Sequence, residues 1–331
     1  MSIDLLQPPT HVSPATALRI SQQAPAVLKS ASGFSLPYPL SLLASSESTE
    51  QWTTYENLFL ACLRTGDDRS ALNCLERLTE RFGEANERIM ALRGLYHEAT
   101  AEDQTELEKV LKGYMDVLVD NPTNVPVRKR FAALLRSISR PKEAAEALVA
   151  LLEMSPTDAE AWSELADIYA TQGQYSQAIF SLEEVLLLMP NAWSVHARLG
   201  EAHYVSTANN SSNDGNALKS LSESMRRFCR SIELCENYLR GYYGLKLTTT
   251  KLLQVYPKGS RPSQANSDPA AGDSAPPTLQ SIQKLNQLAT SKLAEIVRRG
   301  SANEKGWQGY DEAEVIAARE LLDRDTQPIE R

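Results

Sequence analysis

Apolar residues recur along this chain at three- and four-residue steps, and almost nowhere do they alternate at every second position. From about residue 46 to 256 that spacing predicts one amphipathic helix after another and almost no strand. Residues 161–192, AWSELADIYATQGQYSQAIFSLEEVLLLMPNA, align with the segment before them. Trp162, Leu165, Tyr169, Ala178, Leu182, Val185 and Pro190 match Arg128, Phe131, Leu135, Ala144, Leu148, Leu151 and Pro156, each pair 34 residues apart. Such a unit reads as a hairpin of two helices. The first helix is expected to bury Leu165 and Tyr169, Gly173 to permit a tight turn, the small Ala178 to let the second helix approach, and Pro190 to end it. One hairpin cannot hide its apolar face, so neighbours must stack.

A helical hairpin with a 34-residue period resembles the tetratricopeptide (TPR) repeat. The resemblance is fullest where Trp162, Leu165, Ala166, Tyr169, Gly173, Ala178 and Pro190 fall in register, and Phe131, Ala144 and Pro156 repeat it one unit earlier. The expected fold is all-α: a TPR helical-hairpin solenoid of about five repeats plus C-terminal capping helices. Units are expected at about 52–85, 86–124, 125–158, 159–192 and 193–238, followed by a first helix over 239–256. About five extra residues near ATAEDQTE read as a longer turn, and STANNSSNDGNAL (206–218) reads as an insert at the turn of the fifth unit. Eleven of the 17 prolines lie within 8–39 and 257–277. They predict a Pro/Ser-rich extended arm over 1–45, with room for one short helix, and a flexible linker over 257–277. Beyond it, Leu279, Ile282, Leu285, Leu288, Leu293 and Ile296 predict one amphipathic helix and 311–322 a second. These are the capping helices of 278–324, ahead of a fraying tail at 325–331.

Composition narrows function more than fold. Hydrophobic residues are 42%, charged residues 23%, and the formal net charge is −8. An acidic chain lacks the basic face that displaces counterions from phosphates, so no nucleic-acid partner is expected. Cys62, Cys74, Cys229 and Cys235 form no CxxC pair and no disulfide framework. The opening MSIDLLQPPTHVSP has no basic region followed by an apolar one, so no secretory signal is expected. The longest apolar runs, such as 185–189, fall far short of the ~20 residues that span a bilayer.

Candidate chemistry is thin. His196 and His203, with Glu201 between them, share a helical face without a third converging ligand, so neither a metal nor any other cofactor is expected. The overlapping sequons of NNSS (209–212) read as a polar loop. The basic clusters VRKRF (127–131) and RRFCR (226–230) read as salt-bridged or partner-facing. No GxGxxG, GxxxxGK[ST] or GxSxG occurs, and no Ser/His/Asp or Cys/His arrangement stands out, so no catalytic residue is expected. A protein-binding surface is what is left. By helical phase Lys129, Arg136, Ser163 and Asp167 project from first helices, which line the groove of a TPR array, and are the candidate partner-binding residues.

Several stretches carry more than hairpin packing demands: ALNCLERLTERF (71–82), LRGLYHEA (92–99), DNPTNVPVRKR (120–130), AWSELADIY (161–169), SLEEVLLLMPN (181–191) and RGYYGL (240–245). In this order and spacing they resemble subunit 2, the TPR subunit, of the ER membrane protein complex, over about 52–250. The resemblance implies a non-catalytic scaffold without a transmembrane helix, docked on the cytoplasmic face of the endoplasmic reticulum. It implies partners too: cytosolic segments of membrane-embedded subunits and a second soluble subunit, in a complex that inserts tail-anchored and multipass proteins. The Pro/Ser-rich arm and the long segments at 206–218 and 257–277 depart from the family, as a lineage-specific form such as a fungal one would. A rival reading is a co-chaperone adaptor that clamps an acidic C-terminal peptide. Such a clamp needs Lys, Asn and Arg on successive first helices, whereas Glu164 and Asp167 would repel the ligand.

Overall fold

The computed structural model describes residues 5–6, 13–31, 49–209, 214–255, 277–302, 304–307 and 309–326. Among them every regular element is an α-helix. They form two compact units, Met1–Pro156 and Thr157–Arg331. The boundary falls inside the array that the 34-residue period makes continuous in sequence.

The first unit holds α1 (Pro14–Ser21), α2 (Ala24–Ala31), α3 (Thr49–Thr65), α4 (Asp68–Phe82), α5 (Glu87–Thr100), α6 (Gln104–Asp120), α7 (Val125–Ser137) and α8 (Pro141–Met154). Two helices thus stand where an extended arm with room for one short helix was expected. Pro14 and Pro25 sit in first turns, where the missing N–H would have had no intrahelical partner. Ser13 caps α1 by accepting the Thr16 N–H at 3.2 Å. Ile20 and Ala24 then join Tyr55, Leu58 and Phe59 of α3 in the core of this unit, so burial of apolar surface holds the arm down. The rest of the expected arm lies outside the described residues.

The hairpins start on short polar caps. Asn86 accepts from Arg88 N at 2.9 Å, Asp103 from Glu106 N at 2.8 Å and Asn124 from Val127 N at 3.1 Å. The extra residues of 86–124 do not lengthen a turn. The connection between α5 and α6 has the same length as that between α7 and α8, but α5 and α6 run 14 and 17 residues against 13 and 14. Asp103 and Glu106 mark the early start of α6: Asp103 caps it by accepting the Glu106 N–H, and the Glu106 carboxylate reaches back past the cap to accept the Glu102 N–H at 2.9 Å.

The turns of the α3–α4, α7–α8 and α9–α10 hairpins each place one residue in the left-handed region, whereas the α5–α6 turn places none there. Gly66 (φ 72°) and Gly173 (φ 74°) supply it without a Cβ, but Ser139, 34 residues before Gly173, adopts φ 62° with one. A Cβ built on Gly173 meets nothing within 4 Å, so any cost of substitution there is backbone strain alone. Left-handed backbone costs an L-residue about 1–2 kcal/mol, and glycine returns roughly half of that as unfolded-state entropy. Ser139→Gly is therefore expected to stabilise the chain by about 0.5–1 kcal/mol and Gly173→Ala to destabilise it by the same amount. Opposite shifts in the urea midpoint check both.

The second unit holds α9 (Ala159–Thr171), α10 (Tyr175–Leu188), α11 (Trp193–Asn209), α12 (Asp214–Leu234), α13 (Leu239–Val255), α14 (Leu279–Ser301) and α15 (Glu312–Thr326). The segment 206–218 mostly lengthens α11 and α12, to 17 and 21 residues; only 210–213 lie outside the described residues. The helix accommodates its hydroxyls, Ser206 and Thr207 donating back to the carbonyls of His203 and Tyr204 at 2.8 and 2.7 Å. On α14, Ile282, Ala289, Leu293 and Ile296 are fully buried, while Leu279 and Leu288 stay exposed. The small Ala289, not Leu288, faces the core. The linker expected at 257–277 lies outside the described residues apart from Pro277, as does the end of the tail.

Candidate functional site

Of the repeat-defining residues, Ala144, Leu165 and Ala178 are buried, and Phe131 and Trp162 are half-buried. Tyr169, expected in the core, is also only half-buried. Trp162 packs edge-on to Phe180 with centroids 5.9 Å apart. Pro156 and Pro190 are exposed at helix ends, and His196 Nε2 donates to the Pro190 carbonyl at 3.0 Å.

Successive first helices are joined by acid–arginine pairs. In the first unit Glu56 of α3 pairs with Arg88 of α5, and Glu98 of α5 with Arg130 of α7. In the second, Asp167 of α9 pairs with Arg198 of α11. The partners stand 32, 32 and 31 residues apart, slightly less than one repeat. The Glu98–Arg130 rung is the most enclosed, with side chains 11% and 29% exposed. The Arg130 Nε–H donates to Glu98 at 3.1 Å, and the Tyr114 hydroxyl of α6 donates to the same carboxylate at 2.5 Å. Burial, reinforced by the Glu98 charge, pushes the Tyr114 phenol well above its ordinary range, so it stays a donor. Burial disfavours the Arg130 charge, but the hydrogen bond and charge of Glu98 outweigh it. Three helices therefore meet at one carboxylate.

The four candidate partner-binding residues divide between the units. Lys129 and Arg136 lie on α7, half-buried and exposed respectively. Ser163 and Asp167 lie on α9 and are drawn together by Arg198, whose guanidinium donates to Ser163 Oγ at 2.7 Å, to the Ser163 carbonyl at 3.2 Å and to the Asp167 carboxylate.

The basic clusters are engaged within the chain. Arg128 donates to the Pro122 carbonyl at 2.9 Å, and Arg130 holds Glu98. Arg226 and Arg227 share Glu223, and Arg230 pairs with Glu233. The NPTN junction is a fastener: Asn121 donates to Glu87 at 2.9 Å, and the fully buried Asn124 caps α7.

Burial pushes the Cys62 and Cys229 thiols up to about 11 and Cys74 to about 12, where almost no thiolate exists near neutrality. Burial holds His196 and His203 below the usual histidine range. Among the described residues no group of three or more His, Cys, Asp or Glu side chains could hold a metal ion.

Around RGYYGL the chain packs on glycine. Phe228 of α12 is 4% exposed. A Cβ on Gly244 of α13 would lie 2.1 Å from its ring, and one on Gly200 of α11 would lie 3.0 Å away. The ring occupies the space that a side chain at Gly244 would need and also crowds Gly200.

Hairpins capped, turned and laced in this way define a tetratricopeptide-repeat protein, and the tetratricopeptide repeat family model matches residues 139–203. The TPR repeat protein oca3 of Schizosaccharomyces pombe is 34% identical over 243 residues, covering 73% of this chain and 82% of oca3. ER membrane protein complex subunit 2-A of Xenopus laevis is 30% identical over 209 residues, 63% of this chain and 66% of that protein. Subunit 2 of the Saccharomyces cerevisiae complex is 26% identical over 203 residues, covering 60% and 68%. The chain belongs to the family of TPR proteins that includes oca3 and ER membrane protein complex subunit 2. It spans just under two thirds of the Xenopus protein's length. Among solved structures MamA is similar over 59% of this chain and 93% of its own, at 17% identity and a TM-score of 0.40.

Proposed function

We propose that this chain is a non-catalytic scaffold subunit of the ER membrane protein complex. On this reading it sits on the cytoplasmic face of the endoplasmic reticulum membrane. It organises the cytosolic segments of membrane-embedded subunits and a second soluble subunit, in an assembly that inserts tail-anchored and multipass proteins. The observation that carries the reading is the similarity to subunit 2 along the hairpins. It is supported by what the non-repeat residues in 92–99, 120–130 and 240–245 do: they build the Glu98 junction, the Asn121–Asn124 fastener and the Phe228 clamp. Each of these stiffens the stack, and stiffness is what a scaffold contributes.

No helix among the described residues is long and apolar enough to cross a membrane, so this proposal has the chain meet the bilayer through partners. Lys129, Arg136, Ser163 and Asp167 are the proposed partner-facing residues, the last two held in position by Arg198. The test is affinity purification of the tagged full chain from its own cells in mild detergent. Several membrane proteins in fixed stoichiometry are expected, and their yield should fall in the Lys129→Glu/Arg136→Glu variant while its melting temperature holds. Recovery alone, or with a soluble chaperone, would refute this reading and favour an adaptor for acidic peptides.

A further inference from the structure

Arginines two and three residues before a serine form the pattern that basophilic protein kinases read, because the paired guanidiniums seat on carboxylates beside the kinase active site. The chain carries that pattern at Arg298, Arg299, Gly300 and Ser301. Basic residues before a serine are not enough by themselves. Ser231 follows Arg227 and Arg230, but it is fully buried and its hydroxyl donates to the Trp193 carbonyl at 2.7 Å. No kinase can reach it.

Ser301 is placed differently. It is the last residue of the 23-residue α14, and both it and Arg298 are exposed. A kinase binds its substrate as extended chain, so the final turn of α14 has to open. Gly300 weakens that turn relative to alanine, and helix ends open at little cost. Arg299 must let go of Glu295, which it pairs with at 3.0 Å, and of the Trp307 ring, 4.8 Å away. The Arg299 and Glu295 side chains are both partly exposed, and such pairs yield readily.

A receptor for the modified side chain is already in position. Arg319 of α15 donates to Ser301 Oγ at 2.9 Å, and Arg298 lies three residues back on the same helical face. Two features oppose an added negative charge. The C-terminal end of a helix carries partial negative charge, and the Glu304 carboxylate stands 3.9 Å from Arg299. Both act partly through water, whereas Arg319 makes direct charge-assisted hydrogen bonds, roughly twice as strong as neutral ones. Attraction wins.

We propose that Ser301 is a phosphorylation site for a basophilic protein kinase, and that its phosphate ties the end of α14 to Arg319 of α15. In the transfer, Ser301 Oγ bonds to the γ-phosphorus of ATP as that phosphorus loses its bond to the β–γ bridging oxygen. ADP leaves, and the hydroxyl proton passes to the kinase's base. One hydrogen bond to a hydroxyl is thereby replaced by contact with three strongly accepting oxygens. The site lies wholly within the second unit and does not depend on which assembly the chain joins.

The full chain, incubated with ATP and the catalytic subunit of cAMP-dependent protein kinase, tests this. Mass spectrometry should place a phosphate on Ser301, and Arg298→Ala should slow its addition about tenfold or more. Hydrogen exchange of the α15 amides should slow about threefold or more on phosphorylation. That change should vanish in Arg319→Ala and in Ser301→Ala, whose exposed side chains can be removed without lowering the melting temperature. If Arg319→Ala does destabilise the chain, Arg319→Lys reads the same contact and should keep only part of the slowing. No phosphate on Ser301, or phosphate on other serines alone, would overturn the site. Exchange that is unchanged or faster after phosphorylation, or slowed equally in the Arg319 variants, would overturn the tie to α15.

Discussion

Glu98→Ala is expected to destabilise the first unit by about 3 kcal/mol, because it leaves an enclosed guanidinium uncompensated. Glu98 is the shared acceptor for Arg130 and for the Tyr114 hydroxyl, so removing it strands two donors at once, on α7 and α6. The Arg130 side chain is 29% exposed, and water cannot fully replace what it loses. Replacing both charges, as Glu98→Leu/Arg130→Met, should recover most of the loss, since two matched apolar groups cost far less than one unpaired buried charge. The Glu56–Arg88 rung is the internal control. Its arginine is 61% exposed, and Arg88→Ala should change stability by less than about 1 kcal/mol. Urea unfolding followed by circular dichroism measures all three variants. If Glu98→Ala and Arg88→Ala cost the same, burial of the Glu98 junction contributes nothing and the argument for its rigidity fails.

Gly244→Ala should cost about 3 kcal/mol, the upper end of what one overpacked methyl does in a tight core. The new Cβ would start 2.1 Å from the Phe228 ring, and the ring has little room to shift because it is also packed against Gly200 of α11. Either Phe228 leaves its buried position or α13 moves away from α12, which opens the cluster around Leu221, Met225 and Tyr242. Phe228→Leu alone should also destabilise the chain by leaving a void. In combination with Gly244→Ala it should cost less than the sum of the two, because the smaller side chain frees space for the methyl. A thermal-melting double-mutant cycle decides this. Strict additivity would mean that the two residues do not press on each other, and would refute the clamp.

The hairpins between α7 and α10 were legible because the 34-residue period repeats packing residues in place: Ala144 and Ala178 are both fully buried. Caps at Asn86, Asn124 and Asp158 and the left-handed Gly173 are equally local signals. The N-terminal helices were misread because proline density was taken as a bar to helix, although Pro14 and Pro25 occupy the first-turn positions where proline fits. Extra residues near 101 and 206–218 were assigned to turns because length alone does not say where a helix stops. At α6 the Asp103 cap marks the start, and at α11 the helix simply runs on through Ser206 and Thr207. The acid–arginine rungs were present in the sequence as pairs spaced 31 or 32 residues apart, a signal that a search at the repeat period itself passes over.

The sequence by itself determined the all-α class, the hairpin period, the turn glycines and the kinship with a TPR subunit. These are properties of residues within one hairpin, and they survive any rotation of that hairpin against its neighbours. Only the tertiary structure decided that Glu98 gathers Tyr114 and Arg130, that Phe228 packs against two glycines and that Gly113 faces open space. Each residue turns a helix by about 100°, so a shift of one position moves a side chain to a different face. Which faces meet is settled by packing between helices, and spacing along the chain does not carry it.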